Sequence, residues 1–406
     1  MSDTKTLDEA WRRDGSRVLA VLARRLGDLD LAEEALAEAL RVAADRWRQA
    51  PPNHPTAWLF RVAYHKALDR LRQRDRETPL SEEIMVTQPD FDSSSATLSD
   101  AELGLYFLCA HPSLSPDSQA MLMLRLCAGL PTERIAKAFV VDTDAVTRRL
   151  TRAKTKIKAA KLPFATPPTS IWSERLPPIL ATIEIIYDQH YADVGGGTEA
   201  EALAREAQDL ATALAATLND QPEVLGLLAL IQFTESRRAA RLDKDGAMIP
   251  LSEQAIDLWD RTRIAKGAAL LERAAQMKAP GPYQIRATIH ALHARRLEDG
   301  TIPWANILEL YDALLVLAQS PQVRVNRAVA LANVEGPEAA LRDVDIALSE
   351  TPKLATWQPL HAARAAFLAR LGRVDDAKAA YQRAIEGCHG SAERRYLIRC
   401  AAGLTT

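Results

Sequence analysis

The spacing of apolar residues predicts α-helices along almost the whole chain. Apolar residues between positions 18 and 26 recur at helical intervals, and Gly27 is expected to end that helix. Residues 28–30 offer an N-cap for a second helix over 31–46. A third helix over 56–74 carries one apolar stripe, formed by Trp58, Leu59, Val62, Ala63, Ala67 and Leu71. These three helices are expected to form one small domain with a basic face.

Helical spacing resumes over residues 101–164, and its centre has the pattern of a helix-turn-helix. Thr132 is expected to cap a short helix, residues 140–141 to form the turn, and Asp142 or Thr143 to cap a second helix. The residues expected to face inward are Ile135, Ala136, Phe139, Val146 and Leu150. The second helix would then point outward Thr143, Asp144, Thr147, Arg148, Thr151 and Arg152. Side chains so placed read base edges and phosphates in a major groove.

The C-terminal part of the chain, residues 172–406, is also predicted to be helical. A weak repeat begins at residue 329 and recurs 37 residues later, with Gly372 between two helices. Its small and large apolar positions are spaced as in a tetratricopeptide hairpin, so tetratricopeptide-like repeats are expected over about 304–390. This part has no recognisable catalytic set, and an enzymatic role is not expected.

Length and patterning together predict an all-α protein with several domains. At 406 residues the chain exceeds a usual single core. The expected divisions are a three-helix domain over 1–78, an acidic flexible linker over 79–100, a helix-turn-helix domain over 101–165 and a helical extension over 172–406.

Charge is distributed unevenly, although the formal net charge is only −2. Residues 61–76 and 148–161 are basic, whereas residues 77–117 contain eight acidic residues and no Lys or Arg. A phosphate backbone responds to such local charge and not to the total. The layout therefore predicts two nucleic-acid-contacting modules joined by an acidic tether, which is the linker over 79–100.

Composition narrows the class of protein further. No apolar run approaches the roughly 20 residues that a membrane-spanning helix needs. The four cysteines form no CxxC pair and no ligand-like pattern with the eight histidines. We therefore expect a cytoplasmic protein with ordinary buried thiols, no metal and no cofactor.

Several stretches carry a family resemblance. Residues 27–36 and 58–72 resemble region 2 of an extracytoplasmic-function (ECF) sigma factor, and residues 124–139 and 148–154 resemble its region 4. The long C-terminal part, with residues 222–230, resembles the subgroup that carries a tetratricopeptide-like extension. The resemblance implies a promoter-specificity subunit that binds bacterial RNA polymerase core enzyme and promoter DNA, and that is regulated by its extension.

The resemblance also implies roles for individual residues. Those expected to bind core polymerase are Asp28, Asp30, Glu33, Glu34, Leu36 and Leu40. Those expected to contact the −10 element are Trp47, Arg48, Asn53, His54, Arg61, Tyr64, His65, Arg70 and Arg72. Those expected to contact the −35 element are Arg134, Thr143, Asp144, Thr147, Arg148, Arg149, Arg152 and Lys154. The extension is further expected to contact regions 2 and 4 within the same chain.

Plainer interpretations stay open at several of these positions. The basic and acidic helix faces are also typical of solvated surfaces, and Trp58 lies on the apolar stripe of its helix. His65 stands where the family usually has Asn. The alternative function is a DNA-binding regulator with a helical protein-interaction domain that never replaces sigma.

Overall fold

The structure is a computed structural model and is almost entirely helical. It describes residues 3–47, 52–74, 98–139, 141–191, 198–388 and 390–404. Within these ranges no strand forms beyond one isolated bridge between Leu242 and Met248, so the all-α prediction is confirmed. Most of the acidic tether, together with Arg48 and Val140, lies outside the described residues. None of the helices described combines the length and the apolar character that crossing a bilayer requires.

The chain divides into two compact units. The first comprises residues 1–189 and 201–217, and the second comprises 190–200 and 218–406. The first unit therefore contains both of the predicted DNA-contacting modules and also the start of the predicted extension.

The first unit begins with three helices, as predicted. They are α1 (Asp3–Leu26), α2 (Leu29–Arg46) and α3 (Pro55–Arg74). Gly27 ends α1 with a φ of 65°, a conformation that glycine adopts without steric cost. The Asp28 side chain then accepts a 3.1 Å hydrogen bond from the backbone N–H of Leu31 and so caps α2. A single glycine–aspartate pair thus sets the turn between α1 and α2.

Four further helices follow the tether. They are α4 (Asp100–Cys109), α5 (Pro116–Leu126), α6 (Thr132–Ala138) and α7 (Thr143–Ala159). Ser99 and Glu102 cap α4 reciprocally, so α4 begins at Asp100, the last residue of the predicted linker. The predicted cap at Thr132 is wrong, because Pro131 holds the N-cap position and Thr132 is already helical. Asp142 holds the N-cap position of α7, which confirms one of the two predicted alternatives. Its side chain makes no capping hydrogen bond.

Two helices of the predicted extension also belong to the first unit. They are most of α8 (Trp172–Tyr191) and most of α9 (Thr198–Thr217). Arg175 Nη2 donates a 2.9 Å hydrogen bond to the carbonyl of Phe107, and the Trp172 ring packs 5.8 Å from the Phe107 ring. The Leu98 backbone N–H donates a 2.7 Å bond to Thr217 Oγ1. The region predicted as one extension is therefore shared between two compact units, because its first helices pack on α4.

The second unit holds the remaining helices. They are α10 (Pro222–Glu235), α11 (Arg261–Gln276), α12 (Pro282–Ala294), α13 (Arg296–Asp299), α14 (Trp304–Leu317), α15 (Pro321–Val334), α16 (Pro337–Glu350), α17 (Gln358–Arg370), α18 (Val374–Glu386) and α19 (Ser391–Ala402). The pairs α15–α16 and α17–α18 each turn at a glycine of positive φ, Gly336 and Gly372. Their small apolar residues, including Ala328 and Ala365, share one core cluster. Assignment of these hairpins to the tetratricopeptide type stays a prediction.

Gly104 on α4 lets the chain after α7 approach closely. A Cβ at Gly104 would lie 2.8 Å from the backbone carbonyl carbon of Ala165, and backbone cannot move aside as a flexible side chain can. This contact fixes the segment that leads from α7 into α8.

Replacing Gly104 by alanine should therefore destabilise the protein. Overpacking against backbone is expected to lower the free energy of unfolding by about 1–3 kcal/mol, measured by urea denaturation of the full chain followed by helical circular dichroism. Gly403→Ala is the matched control, since its nearest contact would be an ordinary 3.5 Å. Equal stability of the two variants would contradict the close packing.

Candidate functional site

A group of ion pairs joins the N-terminal turn of α2 to the C-terminal half of α7. Lys154 Nζ lies 3.2 Å from Asp30 Oδ1 and 2.6 Å from Glu33 Oε2. Lys158, one helical turn further along α7, places its Nζ 2.9 Å from Asp28 Oδ2. We call these five residues the α2–α7 cluster. It brings predicted polymerase-contacting carboxylates against a predicted DNA-contacting lysine.

Three more ion pairs tie the same parts of the first unit together. Arg125 Nε of α5 lies 3.8 Å from Glu33 Oε1, which gives Glu33 a second basic neighbour. Arg17 Nε of α1 donates a 3.2 Å hydrogen bond to Glu102 Oε2 of α4, and both side chains are largely buried. Arg24 of α1 also pairs with Asp100 at the start of α4. The three N-terminal helices are thus held to the helices after the tether at several points.

The electrostatics keep the α2–α7 cluster charged over a wide pH range. Burial acts to raise the pKa of Asp28, but hydrogen bonds from Lys158 and from the Leu31 N–H outweigh it and hold the pKa below the ordinary 3.8. Burial acts to lower the pKa of Lys154, but Glu33 and Asp30 raise it above the ordinary 10.5.

The direction of each pKa shift determines the pH range in which that group's contribution to folding stability is lost. The contribution of Asp28 is present above its unfolded pKa and is lost as pH falls through its lower folded pKa. The contribution of Lys154 is present below its unfolded pKa and is lost as pH rises through its higher folded pKa. Near neutral pH both groups are charged, so ionic strength and not pH is expected to weaken the cluster.

Solvent limits what these pairs contribute. Within the α2–α7 cluster, Lys154 and Glu33 form the most sheltered pair, with side chains 20% and 18% exposed, whereas Lys158 is 68% exposed. Pairs of this kind typically contribute about 0.2–1 kcal/mol each. Together they favour the contact between α2 and α7 by a modest margin that a competing partner can overcome.

A cavity of about 350 Å³ lies along the same boundary. Its walls combine basic side chains, such as Arg24 and Lys161, with the apolar Leu29, Ile157 and Phe164. This cavity is partly open to solvent, so water has access to the edge of the contact between α2 and α7.

The predicted polymerase-binding residues differ in exposure. Leu36 is 1% exposed and belongs to the core of the first unit, so its predicted contact with polymerase stays a prediction that this arrangement does not display. Leu40 is half-buried and Glu34 is exposed. Glu34 also pairs with Arg70 of α3, which reaches Glu38 as well. The apolar side of α2 packs inward, whereas Glu34 and Arg41 are exposed.

The predicted −10 residues separate into an exposed and a buried group. The exposed residues are Asn53, His54, Arg61, His65 and Arg72. Trp47 and Tyr64 are 6% and 3% exposed, so their predicted contact with DNA stays a prediction that this arrangement does not display. Trp47 packs edge-on against Trp58 at 5.5 Å, and Tyr64 stacks on Phe60 at 5.7 Å. The aromatic residues of this region build the core, whereas the polar ones form its surface.

The predicted −35 residues lie mostly on one exposed face. Thr143, Asp144, Thr147, Arg148 and Arg152 are exposed, while Arg134, Arg149 and Lys154 are partly buried. The inward positions Val146 and Leu150 are buried, which confirms the predicted orientation of α7. Arg149 Nη1 lies 3.5 Å from Asp117 Oδ2, and Lys154 belongs to the α2–α7 cluster. Arg148 and Arg152 are thus the arginines most open to a ligand on this helix.

The sequence pattern does not single out the residues that join the two modules. Arg17, Glu102, Arg125 and Lys158 each take part in an ion pair between α1–α2 and the helices after the tether. The spacing of Lys154 and Lys158, one turn apart on α7, is the available signal. It marks a basic stripe but does not identify the carboxylates that meet it.

The described residues offer no group of three or more His, Cys, Asp or Glu side chains arranged to hold a metal ion. Cys109 and Cys127 place their sulfur atoms 3.9 Å apart, and burial raises the pKa of the Cys127 thiol well above its usual value. A thiol kept protonated in this way is a poor nucleophile. The predictions of no cofactor and no catalytic residue stay predictions.

Comparison with known proteins identifies the N-terminal domain. Residues 10–77, which span α1 to α3, match sigma-70 region 2, and residues 175–275 match a family of unknown function (DUF6596). An uncharacterized protein of Rhizobium meliloti (strain 1021), R00370, is 37% identical over 409 residues, covering 98% of this chain and 95% of that protein. The chain and this relative therefore share one family over their whole length. No solved structure matches the chain significantly.

Arg70 should act as a stabilising residue of α3. Arg70→Ala removes the pairs to Glu34 and Glu38 and is expected to lower the free energy of unfolding by about 1 kcal/mol in urea denaturation of the full chain. Arg61→Ala, on the exposed face of the same helix, is the control and should change it by less than about 0.5 kcal/mol. Unaltered stability in the Arg70 variant would contradict this role.

Proposed function

We propose that the chain, a member of the sigma-70 family, works as an ECF sigma factor with a regulatory C-terminal extension. In this role it binds bacterial RNA polymerase core enzyme and directs transcription initiation from promoters. The observation that carries the proposal is the match of residues 10–77 to sigma-70 region 2.

The geometry of α3 supports contact with the −10 element. Arg61, His65 and Arg72 are exposed on this helix, and Asn53 and His54 are exposed just before it. Such side chains can contact phosphates and the unstacked bases of a melted strand. The buried Trp47 and Tyr64 support this surface from beneath, since they pack on Trp58 and Phe60.

The geometry of α7 supports contact with the −35 element. Thr143, Asp144 and Thr147 occupy the exposed first turns, and Arg148 and Arg152 continue the same surface. An exposed helix start followed by arginines suits entry into a major groove. Ile135 of α6 and Val146 of α7 are both buried, which is the packing that the proposed helix-turn-helix requires.

The C-terminal extension is proposed to regulate the factor through region 4. Arg175 and Trp172 of α8 contact Phe107, and Thr182 Oγ1 donates a 3.4 Å hydrogen bond to Gln119 Oε1 of α5. These contacts reach α4 and α5, and α5 packs against α7, so they support an influence of the extension on the helix that carries the proposed −35 surface. The tetratricopeptide-like character of residues 304–390, the cytoplasmic location and the absence of enzymatic activity belong to the same proposal.

The alternative is a DNA-binding regulator that does not replace sigma. It would need only the exposed face of α7, whereas the proposed sigma role also requires α2 to reach polymerase. Association with core enzyme therefore separates the two functions.

The full chain should bind purified core polymerase and start RNA chains. Gel filtration should show a complex with core enzyme, and transcription of a template library with randomised promoter positions should enrich defined −10 and −35 sequences in the RNA. DNA binding without polymerase association would favour the alternative regulator. Failure of both would reject the proposed function.

Arg148→Ala and Arg152→Ala should each weaken promoter use. Removing a guanine contact costs about 1–3 kcal/mol of discrimination and would change the enriched −35 sequence, whereas removing a phosphate contact weakens the use of all templates alike. In a variant that lacks one phosphate contact, the slope of the logarithm of the DNA-binding constant against the logarithm of the salt concentration should also be shallower by about one. Arg383→Ala, an exposed arginine of α18, is the matched control and should leave promoter use unchanged.

A further inference from the structure

We propose that the arrangement of the first unit is a self-inhibited state, in which α7 occupies the acidic surface of α2 that core polymerase must reach. This inference rests on the proposed sigma function and names its regulation. Polymerase and α7 compete for one acidic surface, and α7 must leave it before the factor can work.

The residues in contact are the ones whose functions would conflict. Asp28, Asp30 and Glu33 are proposed to bind polymerase, and all three carry an ion pair to α7 in this structure. Lys154, proposed to contact DNA, is engaged by two of these carboxylates. The contact thus masks a polymerase-binding surface and part of a DNA-binding surface at once.

The acidic start of α2 presents negative charges to the lysines of α7, as the phosphates of a nucleic acid would. Its carboxylates Asp28, Asp30 and Glu33 are spaced along one helix start and neutralise Lys154 and Lys158, which are one turn apart. Charge-assisted pairs of this kind resemble contacts between lysines and successive phosphates. The chain therefore supplies an internal substitute for both of its proposed partners.

The contact is built to be reversible. Lys158 is 68% exposed and Asp30 51% exposed, so these pairs are weakened by solvent and by salt. The cavity of about 350 Å³ beside them is partly open, so solvent reaches the edge of the contact. A partner that binds the open form preferentially can shift such an equilibrium.

Lys158 allows the contact to be weakened without touching a residue assigned to DNA or polymerase. Lys158→Glu should repel Asp28, favour the open form and tighten association with core polymerase by about threefold or more at low salt. Lys156→Glu is the matched control, because it makes the same charge change on the same helix outside the α2–α7 cluster. The Nζ of Lys156 donates a 3.0 Å hydrogen bond to the carbonyl of Ser113, which lies between α4 and α5. Equal effects of the two substitutions would overturn the inference.

A cleavable crosslink tests the same inference from the opposite direction. Arg24 and Asp100, which pair across α1 and α4, are both accessible and have no assigned binding role. The full chain carrying Arg24→Cys and Asp100→Cys is joined with a short bismaleimide that contains a disulfide. The crosslinked protein should lose polymerase association and transcription, and reductant should restore both.

Two controls make the outcome specific. Asp100→Cys alone, treated identically, accounts for reaction at the native Cys127 and Cys400, which are only partly buried. Arg324→Cys with Glu350→Cys places the same crosslink at an ion pair within the second unit and should leave polymerase association intact.

The outcomes separate this inference from the proposed function. If the uncrosslinked protein binds polymerase and the Arg24–Asp100 crosslink does not reduce that binding, the self-inhibited state is rejected and the sigma function stands. If no form of the chain binds polymerase, the sigma function is rejected and the inference with it.

Discussion

Charge complementarity between the start of α2 and the end of α7 is the constraint around which the N-terminal unit is organised. The carboxylates of Asp28, Asp30 and Glu33 meet Lys154 and Lys158, and the more buried pair of Arg17 and Glu102 joins α1 to α4 in the same unit. Because most of these charges remain partly hydrated, they specify an arrangement without making it permanent.

Contacts around α4 hold the end of the tether and the first helices of the extension in place. Ser99 and Glu102 begin α4 at the end of the tether, and Leu98 is held by Thr217 of α9. Gly104 admits the backbone that follows α7, and Arg175 anchors α8 on Phe107. The extension is thus connected to the helices proposed to contact DNA through packing of its own first helices.

The same side-chain chemistry serves stability and function in different places. Arg70 of α3 is engaged by Glu34 and Glu38, whereas Arg61 on the same helix is exposed. Lys154 is sheltered on α7, whereas Arg148 is exposed. Basic residues along one helix therefore divide between those that hold the unit together and those that remain open to a nucleic acid.

The sequence by itself determined the helices, the turn at Gly27 and Asp28, and the outward direction of Thr143, Arg148 and Arg152. These features depend on local spacing and capping, which act over a few residues. Only the tertiary structure decided that Leu36, Trp47 and Tyr64 are buried and that Lys154 meets Asp30 and Glu33. Helical periodicity identifies a face but not what covers it, and ion pairs between residues more than a hundred positions apart follow from packing alone.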